Sequence, residues 1–310
     1  MSAAGASQAA GRSRSAAAGY AMVAASYLII GLSGTLVTWA TAPAALLLVL
    51  RYGVAVVAIF LVLGRPRRLR CLLQRDLWPK LLLMGFFDAV ALLFYFYAVR
   101  ETGVAIATVF LFSQPVWLAI LAPRFLKSKT ERAVYVAIGL ALVGLAIILV
   151  PNLAGGLHVS VLGLLAGLLS GWAYAGFAIL VKDLTHRMDS AAMVLTECAL
   201  DGLLLLPLAL WQTLSTGYAL TQRDLFVALV LGLVCTALAY SLWMEGVRWI
   251  RMQHSAVLGF LSPVAAPIYA WVLLGQAITV WTAAGGALVL AAGVLVVVRG
   301  EQDVETEPPV

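Results

Sequence analysis

Charge is scarce in this chain: only 11 % of its 310 residues are Asp, Glu, Lys or Arg. A water-soluble domain carries about 25 %, so there is too little charge here to cover a surface facing water. Cysteine and histidine are scarcer still, three of each. Cys71, Cys198 and Cys235 have no spacing that makes a disulfide framework or a zinc site, and they read as small buried apolar side chains. His158, His186 and His254 fall in loops or at helix ends, away from any Asp or Cys cluster, and the sequence shows no glycine-rich phosphate loop and no ATP-hydrolysing domain. An intramembrane enzyme would need a nucleophile with its base, or metal ligands, at a compatible depth. No such set stands out, so no catalytic residue, cofactor or metal is expected.

What the chain has in abundance is apolar surface: 63 % of its residues, with a mean hydropathy of +1.02. A spanning helix takes about 20 apolar residues. Ten runs qualify, at 20–40, 43–63, 79–99, 103–123, 133–151, 160–181, 190–211, 224–246, 252–275 and 280–298. None alternates apolar and polar residues with period two, which excludes a β-barrel. The first run is longer than the roughly 7–15 residues of a signal-peptide core, so it reads as the first span. Residues 1–18, rich in Ala, Ser and Gly, and the acidic end 300–310 read as disordered tails.

Lys and Arg gather in cytoplasmic loops. With the N-terminus inside, seventeen of the twenty fall on the cytoplasmic side; Arg100 and Arg223 fall outside and Arg51 within the second span. Both termini are therefore expected in the cytoplasm. The net charge of +6 then faces anionic lipid headgroups, and no nucleic-acid partner is expected.

The sequence repeats itself. Sliding it by 148 places lays "FYFYAVR" (Phe94–Arg100) on "LWMEGVR" (Leu242–Arg248), Phe112 on Phe260 and Pro115 on Pro263. The last spans of each half, "AIGLALVGLAIILV" and "GGALVLAAGVLVVV", also match. The unit is five helices, at 19–151 and 152–299, and an odd number inverts the second copy. Inverted repeats are common in secondary transporters, with the substrate site near the midplane between the halves. A proline removes a helix hydrogen bond and kinks the helix, so Pro115 and Pro263 are candidate hinges. A channel would more often show a filter or a ring of charge.

This five-plus-five pattern, with "GLSG" (Gly31–Gly34) in the first span, Arg51–Tyr52 in the second and a proline within the fourth and ninth, resembles the EamA-type members of the drug/metabolite transporter superfamily. The resemblance covers about residues 20–299 and rests on order and spacing, since each motif alone is weak. It implies a multi-pass protein of a bacterial inner membrane that exports small metabolites by alternating access. Amino acids, aromatic or of broad range, are the leading substrates; multidrug or cationic metabolite export is the alternative. It also implies a structural role for Arg51. The acidic pair of the seventh span is not part of the resemblance. A monomer is expected, because ten helices can enclose a cavity unaided.

Charges within a bilayer are costly and face a cavity or a partner. Asp88 lies near the middle of the third span, and Glu197 and Asp201 lie four apart on one face of the seventh. Paired carboxylates suit a substrate ammonium or a proton, or a structural hydrogen-bonded pair. Aromatic candidates for gripping a substrate are Tyr95, Trp117, Trp172, Tyr174, Tyr240 and Trp243. Phe112 with Gln114, and Phe260 with Ser262, complete the candidate cavity beside the two prolines.

Overall fold

The computed structural model describes residues 3–63, 74–102, 104–126, 131–153, 160–275 and 278–304. Among these residues every regular element is a helix. Helices satisfy all their backbone groups internally, as hydrocarbon demands. The first half holds α1 (Ala3–Val37), α2 (Ala44–Leu63), α3 (Trp78–Thr102), α4 (Val104–Leu111), α5 (Gln114–Phe125) and α6 (Arg132–Leu153). The second holds α7 (Val161–Leu184), α8 (Ser190–Thr216), α9 (Gln222–Gly232), a π-helical stretch (Leu233–Leu238), α10 (Ala239–Gly246), α11 (Met252–Leu258), α12 (Leu261–Leu274) and α13 (Val280–Val304).

Among the described residues nine segments are long and apolar enough to cross a membrane. The expected fourth span is instead split into α4 and α5. Helix α1 begins at Ala3, inside the stretch expected to be a disordered tail; its Ala-rich sequence is a strong helix former. Helix α13 runs on to Val304. Cys71, His158 and the arginines at 65, 67, 68 and 70 lie outside the described residues.

The two prolines act differently from the expected kinks. Helix α4 ends at Leu111, a turn occupies Phe112–Ser113, and α5 restarts with Pro115 in its first two positions. Likewise α11 ends at Leu258, Gly259–Phe260 turns, and α12 restarts with Pro263 as its third residue. First-turn N–H groups have no helical acceptor, so proline there costs no hydrogen bond. Each break is tightened by a bond to the third residue back, Ser113 N to Phe110 O and Phe260 N to Val257 O, at 3.0 and 3.2 Å. The interruption thus lies in the turn before each proline, and the proline sets the start of the next half-helix.

Packing repeats with the chain. Helix α2 lies along α8, and α6 along α13; α3 lies along α7 as α1 lies along α10; and α1 lies along α12 as α7 lies along α4 and α5. Exchanging the halves maps this set of contacts onto itself. Both halves also contain tight approaches. A Cβ on Gly31 would stand 2.7 Å from the Ser262 carbonyl oxygen, and one on Gly171 would stand 2.8 Å from the Phe110 carbonyl oxygen. Small residues let such helices meet closely.

Candidate functional site

The two breaks meet at the centre of the bundle. Phe112 and Phe260, 148 positions apart in sequence, touch ring to ring with centroids 5.1 Å apart. Beside them lies a cavity of about 380 Å³ formed by residues from both halves. Its lining repeats at the same interval: Leu92 and Tyr240, Tyr95 and Trp243, Leu111 and Gly259, and Gln114 and Ser262 are each 148 apart. Tyr27 with Tyr174, and Ile30 with Phe177, add two pairs at 147.

One wall is aromatic. Tyr174, Phe177 and Trp243 stack in series, with centroid separations of 5.5 and 6.1 Å and nearly parallel planes. Ser255 Oγ accepts from the Trp243 indole N–H at 2.9 Å and fixes that ring. Such a stack offers an apolar face to a ligand ring or chain.

A second wall is acidic. Asp88 from α3 meets Glu197 and Asp201 from α8, with carboxylate oxygens within 4.8 Å of one another. Glu197 and Asp201 are each only 3 % exposed, yet Glu197 Oε2 and Asp201 Oδ2 have no hydrogen-bond partner. Three carboxylates this close repel one another, and a cation between them relieves that repulsion. They are oxygen donors of the kind that hold a hard metal ion as well as an ammonium group.

A third wall is basic. The Arg51 guanidinium, from α2, donates through Nε to Thr236 Oγ1 at 2.5 Å and through Nη2 to Tyr240 Oη at 3.2 Å. It also sits 5.6 and 5.7 Å from the ring centroids of Tyr52 and Tyr240. Among the described residues it forms no ion pair with a carboxylate. Thr236 lies in the π-helical stretch, where its hydroxyl donates to Leu231 O at 2.9 Å, five residues back. π-Bulges of this kind are frequent at functional sites.

Of the residues expected from sequence, Asp88, Tyr95, Phe112, Gln114, Tyr174, Glu197, Tyr240, Trp243 and Ser262 line the cavity, and Asp201 joins through the acidic cluster. Arg51, read as structural, also lines it. Besides Asp201, three expected residues are not among its lining. Trp172 is exposed and packs edge-on against Phe87, because two residues along a helix turn it about 200° from Tyr174. Trp117 lies one turn beyond Gln114, against the core. Phe260 is fully buried behind Phe112. Pro115 and Pro263 are likewise outside the lining. Sequence reading missed Tyr27, Tyr52 and Phe177. The near-constant offset was the available signal, since Tyr27 and Ile30 are the partners of Tyr174 and Phe177.

The end of the bundle bearing Lys80, Lys182, Arg248 and Arg251 is laced together. Arg251 pairs with Glu131, and Lys80 with Asp183. Lys182 donates to the carbonyls of Val247, Arg248 and Ile250, and His254 is bonded to the Tyr20 hydroxyl at 2.5 Å. At the opposite end the buried Asp224 carboxylate accepts from Thr41 N and Ala42 N at 2.8 and 3.1 Å, tying the α1–α2 connection to the start of α9.

Known proteins resemble the chain over most of its length. A Bacillus subtilis protein named uncharacterized transporter YwfM is 28 % identical over 221 residues, 71 % of this chain and 73 % of its own. The pseudopaline exporter CntI of Pseudomonas aeruginosa is 27 % identical over 263 residues, 84 % of this chain and 85 % of its own. One solved crystal structure superposes with a TM-score of 0.77 over 92 % of this chain and 98 % of that one, at 16 % identity, which shows a shared fold. The EamA-like transporter family matches twice, over residues 17–150 and 161–299. This chain is a membrane transporter protein belonging to the EamA-like transporter family.

Proposed function

We propose that this chain is a secondary transporter that exports amino acids, aromatic or of broad range, from the cytoplasm by alternating access. The observation that carries the reading is the joint lining of one central cavity by an Arg51 without a carboxylate partner, by Asp88 and Glu197, and by stacked aromatic rings. An amino acid bears a carboxylate, an ammonium and a side chain, and each has a matching wall. The five-plus-five arrangement with an inverted second half is supported by the recurring 148-residue offset, by the packing that maps onto itself, and by the two family matches. Charge distribution supports cytoplasmic termini, which puts the laced basic end on the cytoplasmic side. The Phe112–Ser113 and Gly259–Phe260 turns are then natural pivots, and Pro115 and Pro263 hold the half-helices that swing about them. A bacterial inner membrane and a monomeric unit complete the proposal. A relative named as an exporter supports the outward direction.

Export of cationic metabolites or drugs is the second reading, favoured by three carboxylates against one guanidinium. Efflux from bacterial cells preloaded with dipeptides separates the two. Selective release of particular amino acids above an empty-vector control is expected. Good membrane expression with no amino acid released, together with resistance to cationic drugs, would transfer the assignment to the second reading.

A further inference from the structure

The repeated frame around the cavity carries different charge in its two halves. Asp88 in α3 and Thr236 in the π-helical stretch are 148 positions apart, the interval that relates Phe112 to Phe260 and Gln114 to Ser262. They occupy equivalent places in the two halves. Each is matched by a residue from the equivalent pair α2 and α8: Thr236 accepts from Arg51 of α2, and Asp88 clusters with Glu197 and Asp201 of α8. Glu197 is 146 positions from Arg51, within two of the common interval. One architecture thus places a guanidinium beside a hydroxyl at one position, and three carboxylates at its equivalent.

We infer that this substitution of charge within a repeated frame makes the cavity polar along one direction, so that it takes a zwitterion in a single orientation, with its carboxylate on Arg51 and its ammonium between Asp88 and Glu197. The inference rests on the amino-acid reading and adds the orientation and the residue that sets it. Two features point to a ligand. Glu197 Oε2 and Asp201 Oδ2 are unpartnered in side chains only 3 % exposed. Arg51 spends its Nε and one N–H of Nη2 on Thr236 and Tyr240, leaving the rest of its donor fork for a carboxylate. Thr236 is a positioning residue. Its hydroxyl passes the Leu231 carbonyl bond on to Arg51 Nε and keeps Arg51 aimed without neutralising it. An aspartate at that place, as in the other half, would pair with Arg51 and cancel the anion site.

The test measures binding to the purified protein of three probes with the same ring: phenylalanine, phenethylamine and 3-phenylpropionate. Wild type is expected to bind phenylalanine about tenfold or more tighter than either singly charged analogue, since one charge-assisted contact is worth about that factor. Thr236→Asp should erase the preference for phenylalanine over phenethylamine. Asp88→Thr, the reverse exchange at the equivalent place, should erase the preference over 3-phenylpropionate. Thr236→Val should weaken phenylalanine binding several-fold while leaving phenethylamine unchanged, and Thr236→Ser should restore it, a pattern that a folding defect does not give. Equal binding of phenylalanine and phenethylamine by wild type, or unchanged selectivity in both Thr236→Asp and Thr236→Val, would overturn the inference. The export reading fails separately, if loaded cells release no amino acid while the three-probe preference holds.

Discussion

Two regions of this protein hold charged side chains partly or wholly out of solvent, and they treat them in opposite ways. At the basic end each of several charges has a protein partner: Arg251 on Glu131, Lys80 on Asp183, Lys182 on three carbonyls. In the central cavity Arg51 has no carboxylate ion-paired with it among the described residues, and Glu197 and Asp201 keep unpartnered oxygens. Desolvating a charge is costly unless it is paired, so the first arrangement holds helices together. The second lines a cavity, where, on the proposed function, a ligand completes it. Paired charge reads as structure, and unpaired charge within the bundle reads as function.

Substitutions separate the two by the sign of their effect on stability. The largest effect on stability is expected for Glu131→Gln, which removes the carboxylate paired with Arg251. A loss of about 3 kcal/mol should appear as a lower melting temperature in detergent, with export falling only in proportion to folded protein. Glu197→Gln, in contrast, removes one of three repelling carboxylates. Its melting temperature should hold or rise, while amino-acid export falls at least about tenfold, as expected for a lost charge-assisted contact. If Glu197→Gln melted like Glu131→Gln, the acidic cluster would belong to the structural class, and the contrast would collapse.

Smaller effects sharpen the same comparison. Gly31→Ala places a Cβ 2.7 Å from the Ser262 carbonyl oxygen. Forcing α1 from α12 should cost about 1–3 kcal/mol, and Gly171→Ala should cost a similar amount at the close contact of α7 with α4. A cost near zero at either glycine would show that its helices can separate there without loss. The smallest effect is expected for Trp172→Phe. Trp172 is exposed and is not among the residues lining the cavity, so export rates should stay within about twofold of wild type, whereas Tyr174→Ala, two residues on, should impair export.

Much of this was legible in the sequence, for reasons that differ residue by residue. Asp88, Glu197 and Asp201 stood out because a charge in an apolar run needs a partner or a cavity. Gln114 and Ser262 stood out because they are polar residues at matching places. Arg51 was read as structural; sequence places it in a helix, yet only the fold shows that its partners are a hydroxyl from the π-helical stretch and two aromatic rings. A π-bulge leaves no mark that composition reveals, so Thr236 went unnoticed. Trp172 was misplaced because an all-apolar helix has no polar face from which to tell inside from outside. Pro115 and Pro263 were visible, but a proline marks a disturbance without saying whether a helix bends or begins there. The hydrogen-bond ladder fails just ahead of both.

The central claim is that the unpaired charges of the cavity handle the exported molecule. It is tested most directly by efflux from dipeptide-loaded cells expressing wild type, Arg51→Leu, Glu197→Gln or Glu131→Gln, with release normalised to folded protein in the membrane. The account predicts selective amino-acid release by wild type and, per folded molecule, by Glu131→Gln, with release near the empty-vector level for Arg51→Leu and Glu197→Gln. Wild-type rates in both cavity variants would contradict it.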